Sequence, residues 1–447
     1  MKLPLDGIRI LANTYPWAGP FAMMMLADMG AEVILIESTQ RWQWNTRGFM
    51  ARPPKAAVET MGAMGGAYPN IDPGARPWNR HAMFNSHARN KKSFTIDLAK
   101  PEGVEEFKRL VAISDAVVEN STPGVMDRLG VGYESLRLVK PDIVMVSSSG
   151  MGAQGPYAGH RGFGSQMENL SGFSLLMAYP GGDPADTPLT NHSDAAGGAG
   201  IAFAVLAAIH YRSRTGKGQW VDMSQSENLI GQIPDAVMDY TMNGRVRASL
   251  GNRHPSMAPH GVYPCIDPNV LPGSDGSKRN GPADKWVAIA VANDEQWVAL
   301  REAMGNPTWA QDSKFDSSLG RWSNQDELDA EIAKWTKRHL AREIMNLLQS
   351  KGIAAGELTQ EGEFSADPQL WSRNFFRMVH HAEAGSHLYP GPMWYFSQAP
   401  VEFRLPPVRM GEHNEYVYKE LLGVEDAQYR KLEAEGHIGM DFAPHVT

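Results

Sequence analysis

Three observations predict an α/β protein built on a parallel sheet, with a second, smaller domain towards the C-terminus. Gly7–Ala12, Gly19–Gly30 and Ala31–Glu37 read as strand, helix and strand in immediate succession. The same alternation resumes at Ser93 and runs to Ser147. Near Asn243–Arg253 the composition shifts, and a hairpin pattern followed by three helical stretches takes over. Strands separated by helices need crossover connections, which favour parallel pairing. At 447 residues the chain is also too long for one ordinary core.

Each element has a local reason. Gly7–Ala12 (GIRILA) is a short apolar run of strand length, and Gly19–Gly30 (GPFAMMMLADMG) carries a proline in its first turn and a glycine at its end. Ala31–Glu37 (AEVILIE) is the second strand. From Ser38 to about Arg89 the chain is rich in Pro, Gly, Trp and Met, and its length marks a functional insertion or a partner-wrapping arm. Ser93–Leu98, Asp115–Glu119 and Asp142–Ser147 then read as strands, with Pro101–Ile113 and Asp127–Val139 as helices between them. A helix is expected to open at the cap-type residues Ser193 and Asp194, carry the apolar stripe Ile201, Val205, Leu206 and Ile209, and close around Gly216–Gly218. Trp220–Met223 is expected as strand and Gln225–Met242 as helix.

Within Ala258–Val291, VYPCID and KWVAIAV suggest a hairpin joined by the polar loop Pro268–Asp284. Helices are expected at Glu295–Met304, Gln325–Arg338 and Leu340–Ser350, and Val401–Leu405 precedes a helical, charged tail. This places the large domain at residues 1–228, a linker at 229–250, the small domain at 251–372, and a return to the large domain at 373–447.

The net charge of −8 argues against a general nucleic-acid binder, which needs a basic face to displace counterions. Any anionic ligand must instead meet a local basic patch. The single cysteine, Cys265, excludes an internal disulfide framework and a cysteine-based zinc site, and suits a reducing cytoplasm. Asp6 and Arg9 interrupt the N-terminus before any long apolar run, so neither a signal peptide nor a membrane span is expected. His81, His87, His192, His254 and His260 lack ligand spacing, so no metal is expected. There is no GxSxG elbow and no P-loop.

Three places can carry chemistry. Asp194, at the mouth of a small-residue helix, would feel the positive end of the helix dipole and remain ionised, as a cap or as a nucleophile. The turn Thr14–Pro20 ends the first strand, so Gly19 and the helix after it can receive a phosphate, while Glu37 occupies the place of a ribose-binding acid. A dinucleotide fingerprint is missing, because the turn holds one glycine only. Arg89-Asn90-Lys91-Lys92 is the densest basic cluster, and reads either as an anion site or as a solvated patch.

Several strings together resemble one family, the class III CoA-transferases, which includes the carnitine and formyl-CoA transferases and the α-methylacyl-CoA racemases. They are PLDGIRILANTYPWAGPFAMMMLADMGAEVILIE, RNKKSFTIDLAKPEG, VENSTPGVMDRLGVGYESL, SSSGMGAQGPY and DAAGGAGIAFAVLAAIHYRSRTGKGQWVDMS, with a weaker match at GNRHPSMAPHGVYPC and DKWVAIAVANDEQW. The segment GARPWNRHAMFNSHARNKKS also resembles the subset acting on aryl-substituted succinates, such as the succinyl-CoA:benzylsuccinate CoA-transferases. The resemblance implies a discontinuous Rossmann-like large domain with a smaller α+β domain, and an interlocked homodimer or a heterodimer with a related subunit. It implies coenzyme A as co-substrate, carried as an acyl-CoA such as succinyl-CoA, and a carboxylic acid acceptor.

By position in the family pattern, Asp194 is the nucleophile that forms an aspartyl anhydride and then an aspartyl-CoA thioester. Asn120 and Arg128 match the family's CoA-binding Asn and Arg, and Tyr15, Pro16, Trp17 and Ala18 form the loop over the nucleotide. Arg41, Arg89 and Lys91 complete the candidate CoA contacts; Ser38 stands where some members have arginine, and Gly162, beside Arg161, where some have lysine. The racemase members carry a His-Asp pair where this chain has Phe163-Gly164, which cannot exchange a proton. An acyl-CoA racemase or isomerase, and a non-catalytic CoA-binding partner subunit, are the alternatives. The tetraglycine lid of some transferases is missing, with Gly273, Gly276 and Gly281 as stand-ins.

Overall fold

A computed structural model describes residues 2–43, 46–62, 65–188, 190–266 and 285–447. The chain forms two compact units, one from residues 1–173, 189–238 and 368–447 and the other from 174–188 and 239–367.

The first unit is built on six parallel strands: β1 (Arg9–Asn13), β2 (Glu32–Glu37), β3 (Lys91–Thr95), β4 (Ala116–Glu119), β5 (Val144–Ser149) and β6 (Gln219–Ser224). Their order is β3-β2-β1-β4-β5-β6, the doubly wound arrangement in which the chain reverses direction between β1 and β4. Helices α1 (Ala18–Asp28), α2 (Pro101–Ala112), α3 (Gly164–Leu170) and α4 (His192–Thr215) fall in the connections, and α5 (Gln225–Ile230) follows β6.

Strand alternation feeds two cores. Ile10, Ala12, Val33, Leu35, Val118 and Val146 face α1 and the Ile201–Val205 stripe of α4. Leu11, Ile34, Ile36, Val117 and Met145 face the other way, onto Phe107, Leu110 and Val111 of α2 and onto Val417 and Tyr418. Among the described residues α4 is the one helix long and apolar enough to cross a membrane, and its stripe is buried against this sheet.

Small residues set how close α4 comes to α1. A Cβ on Gly198 would lie 2.8 Å from the Ala18 carbonyl oxygen and 2.8 Å from a Phe21 ring carbon. Only glycine admits that approach, which brings the first turn of α4 up to the loop leaving β1.

The Ser38–Arg89 segment folds onto its own unit. Arg47 and Glu37 form a buried ion pair at 2.5 Å, and Ala51 and Trp78 pack with Met410, Phe442 and Val446. The expected helix over Gln225–Met242 is two, α5 and Pro234–Asn243, because Pro234 lacks the N–H that a continuous helix needs. The expected helix Asp127–Val139 likewise breaks into Val125–Arg128 and Tyr133–Val139, around Gly130 at φ +74°. Val401–Leu405 is irregular, and an unexpected hairpin, Phe376–His381 with Gly385–Pro390, precedes it.

In the second unit His260–Cys265, Lys285–Ala290 and Ala354–Glu357 form an antiparallel sheet, as the hairpin pattern predicts, with helices Asp294–Ala303, Gln325–Thr336 and Ala341–Ser350 packed on it. The loop with Gly273, Gly276 and Gly281 lies outside the described residues.

Candidate active site

In a doubly wound sheet the loops leaving the carboxyl ends of the two strands at the reversal point diverge and leave a crevice. Here those loops are Thr14–Trp17 after β1 and Asn120–Pro123 after β4, joined by Ser148–Gly150 at the end of β5. They line a cleft of about 720 Å³, whose wall is completed by His160–Gln166, Asn191, Asp194 and Gln225.

Asn120 fastens the first loop. Its amide donates to the Tyr15 carbonyl at 2.8 Å and accepts from the Tyr15 N–H at 2.6 Å. The Tyr15 hydroxyl donates to Asn13, and burial, reinforced by the charges of Glu37 and Glu119, raises its pKa. Trp17 follows with φ 62° and ψ −75°, and the Ala18 N–H donates to the Pro16 carbonyl at 3.0 Å. That is a γ-turn of the strained hand, rare for a residue with a side chain and typical of functional loops. Trp17 and Pro16 therefore form part of the cleft wall, with Ala18 buried behind them at the start of α1.

Asp194 sits inside the first turn of α4 rather than at its cap, which is Asn191 in a left-handed conformation. The N–H groups of Asp194 and Ala195 donate back to the Asn191 carbonyl, and that of Ser193 donates to Glu168 Oε1 at 3.2 Å. The helix end is thus already satisfied and cannot clamp the Asp194 carboxylate. Burial and the neighbouring Glu168 carboxylate push Asp194 up to about 6, contrary to the expectation from the dipole alone. Glu168 is itself only 2% exposed and also accepts from the Thr190 hydroxyl at 3.0 Å. A Cβ on Gly164 would come within 2.3 Å of Asp194 Oδ2, so the bare backbone at the start of α3 makes room for the carboxylate.

The cleft thus gathers Pro16, Trp17, Asn120 and Asp194 of the residues singled out by sequence. Arg41 and Arg128 are exposed and outside its wall, with Arg128 Nη1 beside Gly124. Arg89 and Lys91 require correction, because neither is solvated nor faces the cleft. Arg89 is buried in an ion pair with Asp28 at 2.7 Å and donates to the Pro390 carbonyl at 2.8 Å. Lys91 donates to the Pro20 carbonyl at 2.7 Å, and burial pulls its ammonium down to about 7. Arg89 precedes β3 and Lys91 opens it, and Lys91 lines a separate small pocket with Pro16, Trp17 and Glu37. Glu37 is likewise committed, to Arg47 and the Ser93 hydroxyl.

Glu168 and Gln225 escaped sequence reasoning, as did the strained conformation of Trp17 and the room that Gly164 leaves for Asp194. The one sequence signal for Gly164 is that Phe163-Gly164 occupies the family's acid-base position. Among the described residues no group of three side chains could hold a metal ion.

CoA-transferase family III matches residues 5–273 and 281–414. A succinyl-CoA–D-citramalate CoA-transferase of Chloroflexus aurantiacus is 31% identical over 97% of this chain and 97% of its own. A succinate–glutarate CoA-transferase of Agrobacterium fabrum is 30% identical, covering 95% and 97% respectively. Among solved structures, a CAIB/BAIF family protein from Brucella suis superposes with a TM-score of 0.76 at 27% identity, over 94% of this chain and 100% of that one.

Proposed function

The chain belongs to CoA-transferase family III, and from that premise we propose that it moves CoA from an acyl-CoA donor, succinyl-CoA foremost, to a carboxylic acid through covalent intermediates on Asp194. The observation that carries this reading is the Asp194 carboxylate, half-buried in the switch-point cleft and in no ion pair among the described residues. A carboxylate with its pKa raised to about 6 is still ionised at pH 7, and is more basic than an ordinary aspartate. Greater basicity favours nucleophilic attack.

In the proposed sequence an Asp194 oxygen attacks the donor thioester carbonyl and the C–S bond breaks. CoA leaves as thiolate, and an aspartyl-acyl anhydride remains. The thiolate attacks the aspartyl carbonyl, releasing the donor acid as carboxylate and leaving aspartyl-CoA thioester. The acceptor carboxylate repeats both exchanges in reverse, which restores Asp194 without net proton transfer. Gln225, on the same wall, is in this reading a neutral amide donor to the passing oxyanions. Proton exchange at the α-carbon has no support, since Phe163-Gly164 stands in place of an acid-base pair. The functional unit in this reading is a dimer, of two copies or with a related subunit.

Incubating the protein with succinyl-CoA and glutarate in deuterated water tests the reading. Glutaryl-CoA and succinate should appear without α-deuterium. Deuterium entering an acyl-CoA in the absence of any acceptor acid would sink it.

A further inference from the structure

The chemistry proposed at Asp194 uses one carboxylate of the acid, and the cleft carries a cation that this chemistry does not use. Arg161 lies in the wall between the Gly155-Pro156 turn and α3, and is the one arginine or lysine lining the cleft. It is exposed and makes no hydrogen bond or ion pair among the described residues, unlike the committed Arg47 and Arg89. Its segment is tied at both ends, since Asp222 accepts from the Ala153 N–H at 2.9 Å and Gln166 Oε1 from the Phe163 N–H at 2.9 Å. Next to Arg161, the His160 ring stacks on Tyr157 at 4.8 Å. Ser148 and Ser149 line the same cleft, and their buried hydroxyls have no protein partner among the described residues. An unpaired guanidinium with neutral hydroxyls in its cleft suits an anion, and a carboxylate matches its fork in bidentate fashion.

The geometry points to Arg161 as the residue that receives the remote carboxylate of a dicarboxylic substrate, so that this transferase selects dicarboxylic over monocarboxylic acyl groups. This inference rests on the placement of the reacting carboxyl at Asp194. The same guanidinium could instead meet a CoA phosphate, and the two sources separate by experiment.

The test uses the full chain carrying Asp194→Ala, so that thioesters bind without turnover, with and without Arg161→Gln. Dissociation constants are measured by calorimetry for succinyl-CoA, for butyryl-CoA, which has the same carbon chain without the terminal carboxylate, and for CoA. With Arg161 present, succinyl-CoA should bind about 10- to 100-fold more tightly than butyryl-CoA, the range expected for a charge-assisted hydrogen-bond pair. Arg161→Gln should abolish that preference and leave butyryl-CoA and CoA within threefold. No preference for succinyl-CoA to begin with, or a preference that survives Arg161→Gln, overturns the proposal. Equal weakening of all three ligands also overturns it and assigns Arg161 to the CoA phosphates. Turnover persisting in Asp194→Ala would strike the nucleophile reading instead, and would leave the ratio of dissociation constants interpretable.

Discussion

Asp28 and Asp194 are both withdrawn from solvent in the same unit, and their surroundings are opposite. Asp28, at the end of α1, is 1% exposed and receives Arg89 at 2.7 Å and the Asn90 amide at 2.7 Å. Asp194, in the first turn of α4, has no ion-pair partner among the described residues and a second carboxylate, Glu168, nearby. Breaking a compensated buried pair leaves a bare charge inside, whereas an uncompensated carboxylate already carries a cost in stability, which marks it as a candidate for chemistry. Arg47 with Glu37 belongs to the first kind.

Removing the uncompensated carboxylate should have the largest effect. Asp194→Ala should lower turnover by at least about 10⁴-fold, the scale of losing an attacking group, while the circular dichroism spectrum is retained. Turnover within tenfold of the parent would erase the distinction between the two aspartates. Arg89→Ala breaks the compensated pair and leaves Asp28 alone inside, so unfolding should become easier by about 3–5 kcal/mol in a denaturant titration. If that variant is as stable as the parent, the pair is not structural.

Gly164→Ala sharpens the comparison by moving the carboxylate instead of deleting it. The added Cβ would fall 2.3 Å from Asp194 Oδ2, and a displacement of about 1 Å costs on the order of 10²-fold in kcat. The smallest effect concerns stability and pH. Because the folded pKa of Asp194 is raised to about 6 from the ordinary 3.8, the native state binds this proton more tightly than the unfolded chain does. The ionised carboxylate therefore destabilises the fold above pH 6, and that cost fades as pH falls through 6 towards 4. Asp194→Asn should accordingly stabilise the protein by about 1–3 kcal/mol at pH 7 and hardly at all at pH 4. Turnover of the parent should fall below pH 6 with the protonation of the same group.

What was legible in the sequence followed local pattern. The strands around α1 could be read from apolar runs and glycine punctuation, and Asp194 stood out as a candidate from its helix and family strings. What was hidden depended on distant partners. Nothing in RNKK indicates that Asp28, 61 positions earlier, buries Arg89, and nothing near Asp194 indicates Glu168. Ser93–Leu98 was likewise placed slightly late, because Lys91 looks like a surface residue until its aliphatic stem is packed in the sheet. The hairpin Phe376–Pro390 escaped because FRMVHH and GSHLYP lack clean apolar alternation, and only Gly385 marks the turn.

The central claim, that the uncompensated carboxylate is the covalent centre, is tested most directly by trapping. Hydroxylamine added to the protein with succinyl-CoA should convert one side chain to a hydroxamate, and peptide mass spectrometry should place it on Asp194. A label on Glu168 or any other carboxylate, or none in the presence of active turnover, would contradict the account.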